Sequence, residues 1–592
     1  MPFDGLVLSA VRQELNDKLI GGRIDRIHQP TKDELILNIH HPGGRQRLLL
    51  SAHAFKARVH TTTESKENPP SPPLFCMVLR KHLEGGRICG FHQPGLDRVL
   101  RIEVEARDEL GQTVKKLLIC EIMGKHSNII LVNEASNTII DGIKRYSHTV
   151  SRHREVLPKR IYLPPPEQGK QNPLVLTEET FRECLLSGSL EARVANIIQK
   201  FFDGLSPLIC REIVYRSGLP DNLILDHCGD HELRMLWQAL QSIIVPARDK
   251  KFKPTALFDR YGKPVDFAAF DILHLEGFSK ETGEMCSVLD CYYSAVHKFD
   301  QINSQKQSLY QVIRKEISRV QKKLSLHRQS LQDANEAEQY RIYGELLTAN
   351  LYRLSKGETE VYLENFYDPQ GAKLSVPLDP QLTPVENSQQ YFKKYLKAKN
   401  TITNAEEQLQ KAQADLNYLE SVATSVDQAI TVSELVEIRQ EMIEQSYISD
   451  IKNQIKLNKN KKEQEKPRPM SFNSTDGYII LVGKNNKQND YLTTKIANDE
   501  DIWLHTKDIP GSHVIIRSGG NKVPENTLLE AASLAGYFSK ARDSSKVPVD
   551  YTYKKYVHKP KGAKPGYVIY ENQKTLYVDP GEDILEKLAL ND

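Results

Sequence analysis

Two stretches of the chain place an apolar or small residue at alternating steps of three and four. Tyr310, Ile313, Ile317, Val320, Leu324, His327, Leu331 and Ala334 form the first. Tyr395, Ala398, Ile402, Ala405, Leu409, Ala412, Leu416, Leu419, Ala423, Val426 and Ile430 form the second. Such spacing draws one narrow stripe along a helix, the a/d seam of a coiled coil. Between the two lies SKGETEVYLENFYDPQGAKLSVPLDPQLTP (355–384), too rich in glycine and proline to be helical. The pattern predicts an antiparallel hairpin of two long helices carrying a small tip. At about 1.5 Å per residue each arm reaches roughly 50 Å. A rod of this kind does no chemistry; it spans distance and presents its tip.

The other parts of the 592-residue chain must supply any site. That length predicts roughly three to five domains. Hydrophobic residues make up 39% and charged residues 27%, which predicts much exposed helix. The net charge of +3 says little about partners, so local charge must decide. The start, MPFDGLVLSAVRQEL, lacks a secretory signal pattern, and no apolar run approaches the ~20 residues of a membrane helix. Eight scattered cysteines without a CxxC pair fit buried thiols in a reducing cytoplasm.

Residues 1 to about 170 mix strand and helix. Strand-like runs fall at 34–40, 45–52, 98–106, 115–122, 127–132 and 137–143. LPPPEQGKQNP (163–173) marks a boundary. VANIIQKFF (194–202), the turn DGLSP and LICREIVYRSGL (208–219) fit a helix-hairpin-helix, whose amides meet nucleic-acid phosphate, or an ordinary helical hairpin. KLNKNKKEQEKPRP (456–469) reads as a charged linker. Beyond it, 470–575 reads as a compact α/β module. It has strands at 477–483, DIWLH and HVIIR, a polar connection at 484–493, a helix at 524–542 and a closing hairpin of 567–570 with 575–578.

Motifs for nucleotide or dinucleotide binding and for a serine nucleophile are absent from the sequence. HCGDH (227–231) and HTKDIPGSH (505–513) lack zinc-site spacing. Once Met1 is removed, Pro2 would carry a secondary amine of the kind DNA glycosylase-lyases use as a nucleophile. The acidic residue that should follow it is missing, as is a zinc finger.

Binding features are stronger. Lys540, Arg542, Lys546, Lys554, Lys555, Lys559, Lys561 and Lys564 are interleaved with Tyr551, Tyr553 and Tyr556. Lysines attract phosphate and tyrosines stack on exposed bases; a solvated loop beside core tyrosines is the plainer alternative. A second cluster joins Arg23, Arg26 and His28 of GGRIDRIHQP to Arg80, Lys81 and His82 of FCMVLRKHLEGGRI. Arginines near glycines allow close approach of a nucleic-acid backbone, although Arg80 and Lys81 on a helix also suit plain exposure to solvent.

MPFDG, GGRIDRIHQP, FCMVLRKHLEGGRI, LDR (96–98), EIMGKHSNIILV (121–132) and DGIKR (141–145) resemble the first domain of the NFACT family. GKNNKQNDYLTTKIA (483–497) and DIWLHTKDIPGSHVIIR (501–517) resemble its C-terminal RNA-binding domain. The resemblance spans nearly the whole chain and implies a multidomain α+β protein. Its parts would be an N-terminal α/β tRNA-reading domain (1–172), a helix-hairpin-helix region (173–272), a coiled coil with a middle tip (273–440), a linker (441–469) and an α/β RNA-binding module (470–592).

Family membership would imply ribosome-associated quality control in the cytoplasm, with no membrane, cofactor, metal or catalytic residue. The partners would be an obstructed large ribosomal subunit, met at rRNA and the stalk base, its peptidyl-tRNA, an alanine tRNA and other quality-control factors. The product would be an alanine tail on the nascent chain, made by the ribosome's own centre. Asp97 and Arg98 would meet the anticodon loop, with Glu121, Ile122 and Met123 on the same surface. Arg23, Arg26, Arg80, Lys144 and Arg145 complete the tRNA set. On their residue types alone, an exposed turn ion pair is the plainer reading of Asp97 and Arg98, and only the resemblance reverses it. Glu121 and Met123 alternate on a strand expected to share a sheet with 98–106.

In the C-terminal module the expected RNA contacts are His505, Lys507, Ser512, His513, Lys554, Lys555 and Lys559, with Trp503 in the core. DIWLHTKDIPGSH has no nucleophile-base-orienter set beside it and reads as a gripping turn. Two other readings are a cell-surface fibronectin-binding adhesin, after an older family name, and the proline-nucleophile lyase. The absence of signal, anchor and repeats counts against the adhesin.

Overall fold

The computed structural model describes residues 3–108, 111–147, 154–166, 168–334, 337–369, 371–449, 468–581 and 583–588. Pro2 and most of the expected linker lie outside the described residues. The chain divides into two compact units, Met1–Asp300 and Gln301–Asp592. No helix among the described residues is long and apolar enough to cross a membrane.

The first unit opens with α1 (Gly5–Leu19), capped by Asp4, whose carboxylate accepts from the Val7 amide. A nine-stranded sheet follows. Its strands are β1 (Arg23–Thr31), β2 (Glu34–His41), β3 (Gly44–Ser51), β4 (Arg58–Thr61), β5 (Arg87–His92), β6 (Val99–Arg107), β7 (Thr113–Glu121), β8 (Asn128–Asn133) and β9 (Thr138–Gly142). They lie in the order β4-β3-β2-β1-β5-β6-β7-β8-β9. Every pairing is antiparallel, so the expected α/β character is corrected to α+β. Helix α2 (Leu74–Leu83) intervenes between β4 and β5.

GGRIDRIHQP forms β1, although its apolar spacing is not that of a strand. Ile24 and Ile27 are both buried while Asp25 and Arg26 face out. A register shift between Ile24 and Arg26 takes up the extra residue.

Helices α3 (Glu178–Leu186), α4 (Val194–Phe201), α5 (Pro207–Arg216) and α6 (Asp230–Arg248) follow, then a small sheet of β10 (Thr255–Phe258), β11 (Pro264–Ala268) and β12 (Ser279–Thr282). Phe3, Phe91, Phe181, Phe202, Phe267 and Tyr292 share one core, so the large sheet and these helices pack together.

The long helices are α7 (Met285–Ala334) and α9 (Pro384–Gln428). In the second unit, Ile313, Val320 and Leu324 share a core with Ala412, Leu419 and Val426 of the expected seam, and with Val422, which lies outside it. Ile430 does not belong to it. Helix α9 ends at its cap Ala429, and Ile430 is 64% exposed. The tip is larger than 355–384. Helix α8 (Ala337–Ala349), the hairpin β13 (Glu360–Glu364) with β14 (Lys373–Pro377), and Tyr391 of α9 enclose a core of Leu346, Leu347, Leu363 and Val376. Helix α10 (Val432–Glu444) folds Leu435, Ile438 and Met442 against the hairpin.

The C-terminal module contains β15 (Met470–Asn473), β16 (Ile479–Val482), α11 (Asn486–Tyr491), β17 (Ile502–Thr506), β18 (Val514–Ile516), α12 (Glu525–Tyr537), β19 (Val547–Tyr553), β20 (Val557–His558), β21 (Ile569–Tyr570), β22 (Lys574–Val578) and α13 (Asp583–Lys587). Its main sheet runs β15-β16-β18-β17-β19-β22 and is antiparallel, again α+β rather than α/β. Three expectations are corrected. The polar connection is α11 followed by a π turn, Leu492–Ile496. The helix stops at Tyr537. The closing hairpin does not form, because β21 pairs with β20 and β22 with β19.

Candidate nucleic-acid interface

Asp97 and Arg98 sit on a turn held from beneath. The Asp97 amide donates to the Pro94 carbonyl at 2.9 Å. Leu96, almost fully buried, wedges between Gly5 and Gly204. A Cβ on Gly5 would lie 2.0 Å from the Leu96 carbonyl oxygen, and one on Gly204 2.4 Å from the Leu96 Cβ, so both positions require glycine. Gly204 is the turn glycine between α4 and α5, and its carbonyl accepts from the Gly5 amide at 3.0 Å. This helical turn therefore packs against the site from inside.

The Asp97 carboxylate accepts from the Arg98 amide at 2.7 Å. The Arg98 carbonyl accepts from the Ile122 amide at 2.9 Å, and Val99 pairs with Glu121 at the ends of β6 and β7. Two motifs separated in sequence thus share one sheet edge. Burial pushes the Asp97 carboxyl above its ordinary pKa, with Asp203 and Glu121 adding to the rise and Arg98 opposing it. Burial also lifts Asp4, to about 6, against the charge of Arg98. Arg98 is a cation set among acids.

The three residues after this edge differ. Glu121 is sealed. Its carboxylate accepts from Arg154 Nη1 at 2.7 Å and from the Tyr162 hydroxyl at 3.0 Å, and Arg154 Nη2 makes a second contact. Ile122 is buried, while Met123 is half-buried with its amide on Ser127 Oγ at 2.8 Å. Of the three residues expected on this surface, the Glu121 and Ile122 side chains are buried and Met123 alone presents side-chain surface. Sequence reading missed Arg154 and Tyr162, since nothing local marks partners 33 and 41 residues away from Glu121.

Arg23 and Arg26 project from β1 into solvent. Arg80 Nε donates to the Ile27 carbonyl at 2.9 Å, tying α2 to β1. Lys144 Nζ donates to the Ala52 carbonyl at 2.5 Å, and burial lowers its pKa. Arg145 makes two 2.9 Å bonds to Asp141, with its side chain 46% exposed.

In the C-terminal module the gripping turn divides. Trp503 is fully buried, as expected. His513 is a core residue: its ring bonds Thr493 Oγ1 at 2.7 Å and the Gly566 carbonyl at 3.1 Å. Burial, with His505 beside it, holds its pKa well below the usual range. Ser512 is buried too. Their assignment as RNA-contacting side chains is therefore corrected to internal support. His505 is half-buried, its ring parallel to Trp503 at 5.8 Å, and burial lowers its pKa. Lys507 is exposed.

Lys554 pairs with Asp499 at 3.1 Å, and Lys559 with Asp490. Lys555 is exposed, its ammonium 5.5 Å from the Tyr553 ring and 5.1 Å from that of Tyr556. Tyr553 is 50% exposed. Lysine and aromatic surface thus coincide at 553–556, a match for phosphate and a stacked base. Among the described residues, no group of three or more His, Cys, Asp or Glu is placed to hold a metal ion.

Comparison with known proteins accounts for both units. A model of the NFACT N-terminal and middle domains matches residues 4–465, and one of the NFACT protein RNA binding domain matches 468–572. A Bacillus subtilis protein described as Rqc2 homolog RqcH is 42% identical, over 99% of this chain and 100% of its own length. A Streptococcus suis protein of the same description is 37% identical over 100% of both chains. The crystal structure of the fibrinogen binding protein from Staphylococcus aureus is 31% identical over 50% of this chain and 99% of its own, with a TM-score of 0.42. On the two family-model matches and the full-length Bacillus subtilis relative, the chain belongs to the NFACT family.

Proposed function

We propose that the chain is a ribosome-associated quality-control factor. It binds a large ribosomal subunit obstructed by peptidyl-tRNA and brings in alanyl-tRNA without mRNA, so that the stalled chain receives a C-terminal alanine tail. The ribosome makes the peptide bonds; this chain selects and positions tRNA, in the cytoplasm and without a cofactor. The observation that carries the reading is end-to-end identity of 42% with an Rqc2 homologue.

The tRNA-reading surface is centred on Asp97, Arg98 and Met123, with Arg23 and Arg26 as open cations. Arg98 offers a planar fork to a phosphate or a base edge. Asp97 accepts from base amino groups, and its position beside the Arg98 amide keeps it at the same edge. Glu121, Ile122, Arg154 and Tyr162 hold that edge in place. The helical hairpin reaches toward the stalk base. In the C-terminal module Lys507, Tyr553 and Lys555 contact RNA.

The test is co-sedimentation of the tagged chain with free large subunits across a salt series. The expected result is comigration that weakens steeply with salt. Absence from subunit fractions even in dilute buffer contradicts the reading.

A further inference from the structure

Five consecutive residues of the C-terminal module each donate a side-chain hydrogen bond to a glutamate of α10. Lys484 Nζ reaches Glu434 at 2.8 Å, Asn485 Nδ2 reaches Glu437 at 2.8 Å and Asn486 Nδ2 reaches Glu441 at 3.1 Å. Lys487 Nζ reaches Glu444 at 2.8 Å and Gln488 Nε2 reaches Glu437 at 3.0 Å. Glu434, Glu437, Glu441 and Glu444 follow steps of three and four and so form one stripe. Helix α9 extends it: Asp415 meets Lys564 at 3.3 Å and Glu420 meets Lys540 at 3.6 Å. The adjacent face of α10, Leu435, Ile438 and Met442, packs on the helical hairpin.

The chemistry of this contact is one-sided. The module gives ammonium and amide donors, and the helices give carboxylate acceptors. Phosphate oxygens would satisfy the same donors without regard to base sequence. Along α10 the carboxylates recur about every 5 Å, a row of anions facing donors that a polyanion would also satisfy. Lys484, Lys487 and Lys564 keep 29–31% of their side-chain surface exposed. Each of these bonds replaces one made to water, so the net holding force is small and a polyanion can compete for the donors. Glu441 differs: it is buried, accepts from the Tyr418 hydroxyl at 2.8 Å and serves as the fixed centre of the contact.

We propose that the α10 glutamate stripe masks a second RNA-binding face of the module, centred on residues 484–488, and that RNA gains this face once the charge of the stripe is removed. The proposal rests on the reading that the module binds RNA.

The experiment uses the full chain with Glu434→Gln, Glu437→Gln and Glu444→Gln combined. Glutamine keeps the helix-start bonds that Glu434 accepts from the Ile430 and Thr431 amides. Anisotropy of a fluorescent oligouridine is read across a salt series. The triple variant is expected to bind about five-fold tighter or more, with a steeper salt dependence, because two further lysines reach phosphate. Adding Lys484→Gln with Lys487→Gln should erase the gain, whereas the same lysine pair changed in the otherwise unaltered chain should leave affinity within about two-fold. Glu444→Gln alone, at a side chain 43% exposed, should move affinity the same way by less, and it serves if the triple variant misfolds.

Two results overturn the mask: the unaltered chain binds and the triple variant binds no tighter, or the lysine pair alone weakens the unaltered chain as much as it weakens the triple variant. Binding by the triple variant alone supports it. If neither chain binds, the RNA reading itself fails and this proposal with it.

Discussion

The Ile122 amide donates to the Arg98 carbonyl at 2.9 Å. The candidate tRNA edge therefore depends on the residue beside Ile122, and Glu121 is locked to Arg154 and Tyr162. Arg154→Ala leaves a buried carboxylate without its cation, a change expected to cost about 3–5 kcal/mol. The double change Glu121→Gln with Arg154→Met should recover much of that. Urea denaturation of the unaltered chain, the Arg154→Ala chain and the double variant checks this; a double variant no more stable than Arg154→Ala would contradict it.

Stability should also carry the signature of Asp4. Burial raises its pKa from 3.8 to about 6, so between those values the folded chain holds a proton that the unfolded chain has released. The contribution is whole below pH 3.8 and is lost as pH rises through about 6. A shift of this size is worth on the order of 3 kcal/mol. Asp4→Asn keeps the helix cap and removes the titration. The variant should melt higher than the unaltered chain at pH 7, with the difference closing near pH 4. Parallel melting profiles across that range would contradict this assignment.

His513 and Lys555 should respond in opposite ways. His513→Ala removes two internal hydrogen bonds and opens a gap beside Trp503, so the melting temperature should fall. Lys555→Ala should leave melting unchanged and lower affinity for single-stranded RNA about two- to ten-fold, with a shallower salt dependence. Calorimetry and anisotropy on the same preparations separate the two effects. Loss of RNA affinity by a His513→Ala chain of unchanged melting temperature would reverse the roles.

The hairpin is expected to act by reach. Leu419, fully buried in the seam, should cost about 2–5 kcal/mol on truncation to alanine. Matched removal of one heptad from each arm keeps the seam in register. That change should weaken co-sedimentation with large subunits while tRNA recovery persists. Equal loss of both would contradict a division of labour between hairpin and sheet edge.

Sequence reading found the seam of Ile313, Val320 and Leu419, because a periodic stripe is local information. It found β6, β7 and the strands in DIWLH and HVIIR for the same reason. It missed β1, whose bulge breaks alternation at Asp25, and it joined β21 to β22 because adjacency favoured a hairpin over long-range partners. Ser512 and His513 looked available because polar residues beside a turn usually are. Their burial comes from Thr493, Phe538 and Gly566, which the fold brings in from elsewhere. Glu121 is the same case: its partner Arg154 is invisible until the sheet is built.

The most direct test is sequencing of the RNA that copurifies with the tagged chain and with its Asp97→Ala, Arg98→Ala variant. The expected result is tRNA enriched on the unaltered chain, at least tenfold less on the variant (about 1.4 kcal/mol or more), and ribosomal RNA recovered about equally from both. Undiminished tRNA on a folded variant would contradict it.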